Sequence, residues 1–187
     1  MKSIKLCLPL LLVLAGCGST PNQVVIAPDF IQTSNLPLNV GQISLNVNDM
    51  RTSKHLVQIV KEGQAANLFN SQLPVSDVIE KSLTEALKKR SVSINPNAST
   101  KVDITIKDAL INVDQHTLKY QAKSDLLLSV AVQTPVGQLT KSYHHKGSSE
   151  GPLKADIAVL GRDFNQALTK VLNQMLNDAE LTNYINQ

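Results

Sequence analysis

Hydrophobic and polar positions follow two different periods along this chain. Gln42-Ile43-Ser44-Leu45-Asn46-Val47-Asn48 alternates without an exception, which predicts a half-buried strand. Asp49 to Ser53 then turns the chain, and Leu56 to Val60 predicts a second, shorter strand. Glu62 to Gln72 carries Gly63 and no clear period, so it reads as loop. From Pro74 to Arg90 the period changes. Val75, Ile79, Leu83 and Ala86/Leu87 recur at spacings of three and four, the mark of a helix with one apolar face. Ser76 or Pro74 can open this helix, and Lys88-Lys89-Arg90 closes it with positive charge at the negative end of its dipole.

After the turn at Asn95 to Ser99 the two-residue period returns. Val102, Ile104 and Ile106 share one parity, whereas Ala109, Ile111 and Val113 share the other, so a bulge is expected near Asp108. Gln115-His116-Thr117 is a tight connection to a long alternating strand from Leu118 to Val132. Thr134 to Gln138 reads as a hairpin turn, and Leu139 to Lys146 as the last strand. Strands joined by turns this short must be antiparallel. Gly147 to Pro152 breaks the pattern, and a second helix runs from about Ala155 to Asn177 on the stripe Ile157, Leu160, Phe164, Leu168, Val171 and Met175. The expected fold is α+β: a mainly antiparallel sheet of four or five strands with two helices packed on one face.

The first residues have another purpose. Lys2 and Lys5 precede a short apolar run that ends in Leu14-Ala15-Gly16-Cys17. This is the layout of a secretory signal. The run is too short for the ~20 residues that span a bilayer. Leu14-Ala15-Gly16-Cys17 resembles the bacterial lipobox: small residues fit a narrow peptidase site, and the Cys17 thiolate takes the diacylglyceryl group. Residues 1–16 are therefore expected to be a cleaved signal peptide and 17–38 a lipidated tether. Residues 39–187 are expected to form a single periplasmic α+β domain. Several acyl chains on Cys17, a palmitate among them, would make a stable anchor, since each buried methylene contributes ~0.8 kcal/mol. Gly18 stands where lipoproteins kept at the inner membrane carry Asp, which resembles the outer-membrane sorting pattern.

Cleavage changes the charge and the chemistry. Lys2 and Lys5 leave, so 18 basic residues become 16 against 15 acids, a balance of about +1 rather than +3. With no Trp and six other aromatics, nothing points to nucleic acid. Cys7 leaves with the signal and Cys17 is acylated, so the domain has no free thiol, disulfide or thiolate site.

Other motifs are weak. Gly147-Ser148-Ser149-Glu150-Gly151 has the glycine spacing of a nucleophile elbow but lacks its strand-to-helix setting. His144 and His145 are neighbours on a strand and point to opposite faces, so they do not chelate one ion, and His55 and His116 bear no spacing relation to them. Asp49 and Arg51 read as a local ion pair that fixes a turn, Asp103, Lys107 and Asp108 as solvated charge, and Lys88-Lys89-Arg90 as a solvated helix end rather than a headgroup patch. No catalytic, cofactor-binding or metal residue is expected; the one assigned site is the lipid attachment at Cys17.

Leu14-Ala15-Gly16-Cys17, Ser44-Leu45-Asn46-Val47-Asn48-Asp49-Met50-Arg51 and the block from Val102 to Gly151 with the helix after it resemble the YajG family of small bacterial lipoproteins. The resemblance spans almost all of the mature chain. It implies a lipoprotein of the outer membrane facing the periplasm, with two helices on one face of an antiparallel sheet and no catalytic residue. The expected function is a non-catalytic binding or scaffold module of the envelope, with the membrane and an envelope protein as partners. The alternatives are an auxiliary lipoprotein of lipid transport holding an apolar ligand, and a periplasmic hydrolase.

Overall fold

A computed structural model describes residues 23–29 and 37–187; the signal peptide, Cys17 and Gly18 lie outside the described residues. The elements follow in the order β1 (Gln23–Val24), β2 (Gln42–Asp49), β3 (Val57–Lys61), β4 (Asn67–Ser71), α1 (Val75–Lys89), β5 (Ser93–Ile94), β6 (Lys101–Gln115), β7 (Lys119–Thr134), β8 (Gly137–Pro152), α2 (Ile157–Leu176) and α3 (Ala179–Ile185).

The fold is α+β, but the sheet is larger and more mixed than expected. It has eight strands among the described residues and curls into a half-barrel. The antiparallel part is the meander β6-β7-β8, whose short turns the sequence shows. The parallel part is invisible to local pattern. β2 pairs parallel with the first half of β6 (Ser44 to Asp49 against Lys101 to Ile106), and β3 pairs parallel with its second half (Val57 to Lys61 against Ile111 to Gln115). The chain must cross back over the sheet between such strands, and α1 does so. β4 makes a hairpin with β3 around Gly63, whose φ of 70° suits a residue without Cβ. It lies in the stretch expected to be loop. Leu68 is exposed and Phe69 only half-buried, so no clean alternation marked it.

Two further corrections concern the C-terminal half. β8 does not stop at Lys146: Gly147 to Pro152 continue the strand, with Gly151 opposite Tyr120. A Cβ on Gly151 would lie 2.6 Å from the Tyr120 ring, so the glycine gives the ring its place. A third helix, α3, follows α2, opened by Asp178, whose carboxylate accepts from the Leu181 N–H at 3.1 Å. The bulge is where the change of parity put it, between Ile106 and Asp108.

The inner faces of the strands and the apolar stripes of all three helices form one core. Phe164, Leu168, Val171 and Leu172 of α2 are fully or almost fully buried. Residues 23–29, inside the stretch read as tether, lie on this domain. Gln23–Val24 pair parallel with Asn70–Ser71, Val24 is 1% exposed, and Asn165 of α2 accepts from the Ala27 N–H and donates to the Val25 carbonyl.

β2 and β3 sit end to end along one edge of β6, and the chain leaves the sheet between them. Met50 N–H still bonds the Ile106 carbonyl, and Ile111 N–H already bonds the Leu56 carbonyl. The Ala109 carbonyl falls in the gap. Arg51, 6% exposed, fills it: Nη1 donates to that oxygen at 3.0 Å. Asp49 holds the guanidinium, Nε to Oδ1 at 3.0 Å and Nη2 to Oδ2 at 2.8 Å, and also accepts from the Arg51 N–H. The pair expected at the turn is thus bidentate, and it completes a backbone ladder.

Burial by itself would raise the Asp49 pKa. Hydrogen bonds from Arg51 and Lys54 outweigh burial and hold it at about 2, below the usual 3.8. A depressed folded-state pKa stabilises the protein above the unfolded value, and that stability fades as pH falls from about 4 towards about 2. Arg51→Met should cost roughly 3 kcal/mol in denaturant unfolding, because it strands a half-buried carboxylate and a buried carbonyl. It should also remove this part of the acid sensitivity. Lys54→Ala, at the exposed side of the same carboxylate, should cost less than about 1 kcal/mol.

α1 ends without a glycine. Ser91 takes the left-handed position with φ 63°, while its N–H bonds the Lys88 carbonyl and the Val92 N–H bonds the Leu87 carbonyl, both at 3.0 Å. This is a Schellman close with buried Val92 as its apolar partner. A side chain in that conformation carries strain of roughly 1 kcal/mol. Ser91→Gly should therefore raise the unfolding free energy by about that much, visible as a higher melting temperature.

Candidate functional site

The inner face of β8 is where the chain spends polar residues on an inward-facing surface. Register with β7 starts at the hairpin, Thr134 opposite Gly137, and this puts the odd-numbered residues of β8 inward. They are Leu139, Lys141, Tyr143, His145, Gly147, Ser149 and Gly151. Two groups result.

The first is closed. Tyr143 is buried and its hydroxyl donates to Asp178 Oδ2 at 2.9 Å. Lys141 Nζ lies 2.6 Å from the same oxygen and 2.8 Å from Glu180 Oε2. Burial, then the bond to Asp178, push the Tyr143 phenol above its ordinary value of 10.0. Burial would raise Asp178, but Lys141 and the Leu181 N–H outweigh it and lower it. This cluster ties the α3 cap to the sheet, and its partners are all used.

The second group is open. His145, Gly147 and Ser149 of β8, Ser124 of β7 and Asp163, Gln166 and Lys170 of α2 line a recess of about 310 Å³. Ser149 Oγ donates to Asp163 Oδ2 at 3.2 Å. A Cβ on Gly147 would meet Ser124 Oγ at 2.6 Å and His145 Nε2 at 3.4 Å, so the glycine leaves room for both to approach the floor. Burial, Lys170 and His144 lower the His145 pKa below 6.5, in that order of weight, so the ring is neutral at neutral pH. The recess thus offers hydroxyls, a neutral imidazole, an amide and an ammonium. Ser149 is held by a carboxylate rather than by a histidine, which is not the nucleophile–base order of a hydrolase.

A larger groove of about 660 Å³ lies on the other side of α2, against residues 23–29. Val24, Val25, Ile157 and Gly161 give it apolar walls, and Arg162, Gln166 and Lys170 a polar rim. Gln166 and Lys170 belong to both recesses, so the solvent face of α2 is the ridge between them.

The other sequence candidates are dispersed. His144 is on the outer face, with Nε2 2.6 Å from Asp125 Oδ1. His55 pairs with Gln58 at 3.1 Å, and His116 is in the β6–β7 turn. Among the described residues no three His, Cys, Asp or Glu side chains converge as a metal group. Asp103 accepts from Asn46 on the outer face of the sheet at 3.2 Å. Arg90, beyond α1, reaches the Leu176 carbonyl at 3.4 Å and so belongs to helix packing. His145, Gly147 and Ser149 read in the sequence only as separate motifs. Their gathering with Ser124, Asp163, Gln166 and Lys170 leaves no sign in the local pattern, because they spoil the alternation that marks a buried strand face. The hairpin register at Thr134 was the available signal.

These features define an α+β protein with a polar recess and an apolar-walled groove beside one helix. The sequence matches, over residues 28–186, a family described as uncharacterized lipoprotein, and the chain belongs to it. This is the YajG family that the sequence resembles. A crystal structure of a protein from Xanthomonas campestris is similar in fold: TM-score 0.59 at 15% identity, over 86% of this chain and 95% of that one. A minor lipoprotein from Acinetobacter baumannii matches at TM-score 0.38 and 12% identity, over 80% of this chain and 93% of that one. No curated protein sequence matches.

The recess makes a measurable claim. In NMR titration His145 should protonate below pH 6.5, and Lys170→Gln should move its midpoint upward by removing a facing positive charge. Because the neutral ring is the folded form, this group's stabilisation is present above the unfolded value and is lost as pH falls below about 6.5.

Proposed function

We propose that this lipoprotein is a non-catalytic binding module of the bacterial envelope, held to the outer membrane through an acylated Cys17 and facing the periplasm. The observation that carries the binding reading is the pair of recesses sharing Gln166 and Lys170 on α2, one of about 310 Å³ and one of about 660 Å³. Both volumes fall in the range of binding sites for small molecules or short chain segments, ~300–1,000 Å³. Their lining is polar at the rim and apolar beside Val24 and Ile157, which suits an amphiphilic ligand or a segment of an envelope protein.

The anchor reading rests on Leu14-Ala15-Gly16-Cys17 and on membership of a lipoprotein family. Among the described residues no helix is long and apolar enough to cross a membrane. The lipid-transport reading places an apolar ligand between sheet and helices. The space there is about 40 Å³, bordered by Leu83, Leu87, Ile104 and Leu176, which is far below the volume of an acyl chain. An apolar ligand is therefore better accommodated against residues 23–29. The hydrolase reading has the least support, since Ser149 engages Asp163.

The test of the anchor is Cys17→Ser in cells. The variant should lose the acyl mass and leave the membrane fraction; unchanged acylation would overturn the reading. For the binding role, a photocrosslinking residue in place of Gln166 should give a discrete adduct in the envelope. It should be absent with the same residue in place of Asp103 and lost on adding Lys170→Glu. Equal adducts at both positions would remove the ridge from consideration.

A further inference from the structure

The end of the sheet where β6 turns into β7 displays two large apolar side chains. Leu118 is 75% exposed and Leu153 65% exposed. They are neighbours, because the Leu153 N–H bonds the Leu118 carbonyl at 2.8 Å. Their loops are not slack. Gln115 Nε2 donates to the carbonyls of His116, Lys119 and Leu153, at 2.7, 3.3 and 2.8 Å, and Gln115 Oε1 accepts from the Ala155 N–H at 2.9 Å. Leu153 is held with φ 61°, a conformation that non-glycine residues adopt at a cost. One amide side chain therefore fixes a platform that holds two leucines out in water.

The strand register gives the level and direction of Gln23 relative to this platform. β1 is parallel to β4, and Gln23 is opposite Asn70. β4 is antiparallel to β3, with Phe69 opposite Val57, so Gln23 stands one residue before the level of Val57. β3 runs towards the platform and reaches it at Lys61, opposite Gln115. The N-terminal end of β1 therefore points towards the Leu118–Leu153 end. At about 3.3 Å per residue, the end of β6 is roughly 17 Å beyond Gln23. α2 gives the same direction: Gly161 packs against Val24, so the helix start that follows Leu153 lies on the platform side.

Six residue steps separate Cys17 from Gln23, and a fully extended chain covers at most about 20–22 Å in six steps. Measured along the strands, that reaches the level of the platform and little more. While Val24 stays seated, Cys17 stays within that distance of Gln23, so the bilayer it enters lies close to the β1 side of the domain, and the strand direction at Gln23 favours the platform end.

We propose that the Leu118–Leu153 platform docks on the phospholipid surface to which Cys17 is anchored, with both leucines at the boundary of headgroups and acyl chains and the β7–β8 hairpin pointing away. The inference rests on the anchor reading above. Lys61, Lys119 and Lys154 surround the platform, and so do Glu62, Asp114 and Asp156, so the contact is apolar rather than a response to lipid charge.

The chain has no tryptophan, which makes a single introduced one a clean reporter. Leu118→Trp, Leu153→Trp and, at the opposite turn, Val136→Trp are made in the full acylated protein. Each is reconstituted in vesicles of phosphatidylethanolamine and phosphatidylglycerol with brominated acyl chains. Mass and flotation are recorded with each sample. The expected result is blue-shifted, strongly quenched emission at 118 and 153, and neither effect at 136. An acylated, floating protein with no quenching at 118 and 153, or equal quenching at 136, would overturn the docking and leave the anchor standing. Emission shielded but unquenched at 118, together with a dimer mass, would overturn it in favour of a second copy as the occupant. Loss of the acyl mass and of flotation would overturn both the docking and the reading it rests on.

Discussion

The architecture depends on a single carbonyl having a partner. β6 is the strand on which everything is assembled, and its edge opposite β7 is shared by β2 and β3, one after the other. Two strands laid end to end leave a gap in the ladder. A buried peptide oxygen without a donor forfeits roughly 1–3 kcal/mol. Arg51 supplies that donor from the segment that crosses the gap, and Asp49, the last residue of β2, keeps the guanidinium aimed at Ala109. The bulge at Lys107 falls in the same interval, so the change of parity in β6 and the change of partner strand occur together. Without the pair, the ladder between β2 and β3 would be left open at the Ala109 carbonyl.

The sheet in turn decides what α2 can do. Because the half-barrel is open, α2 packs its apolar stripe on β7 and β8 and meets the N-terminal segment along its side. Its remaining face is left as a ridge. The polar residues of β8 are tolerable next to it because they are either fully paired, as Tyr143 and Lys141 are with Asp178, or open to solvent, as His145 and Ser149 are in the recess. One strand therefore carries both a structural cluster and a candidate binding surface, separated by two residues.

Local pattern made much of this legible. β2, α1, the bulged β6, β7 and α2 all show their period, since each buries one continuous face against the core. The Asp49–Arg51 pair was legible as well, because two residues of opposite charge two apart at a strand end can meet. What escaped depended on distant partners. β4 has no alternation of its own and exists because β3 offers an edge. The continuation of β8 through Gly147 to Pro152 looks like a break, yet those glycines make room for Ser124 and Tyr120 across the strand pair. The parallel placement of β2 and β3 is a property of the crossover and leaves no mark in either segment. The candidate recess was hidden for the same reason: it draws on β7, β8 and α2, and none of the three announces it.

The seating of Val24 also fixes an order of events. Its strand partner lies in β4, and Asn165, whose side chain clasps the backbone of the neighbouring Val25 and Ala27, is 138 residues from Ala27 in sequence. A chain that emerges N-terminus first holds this segment before either partner exists. The clasp of this first described segment by α2 is then among the last contacts that can form. Closing so long a loop carries an entropic charge that only an otherwise finished domain can offset. Until α2 has formed, the apolar side chains of Val24 and Ile26 have no pocket. Exposed in that interval, they are the kind of unpaired edge that holding chaperones bind.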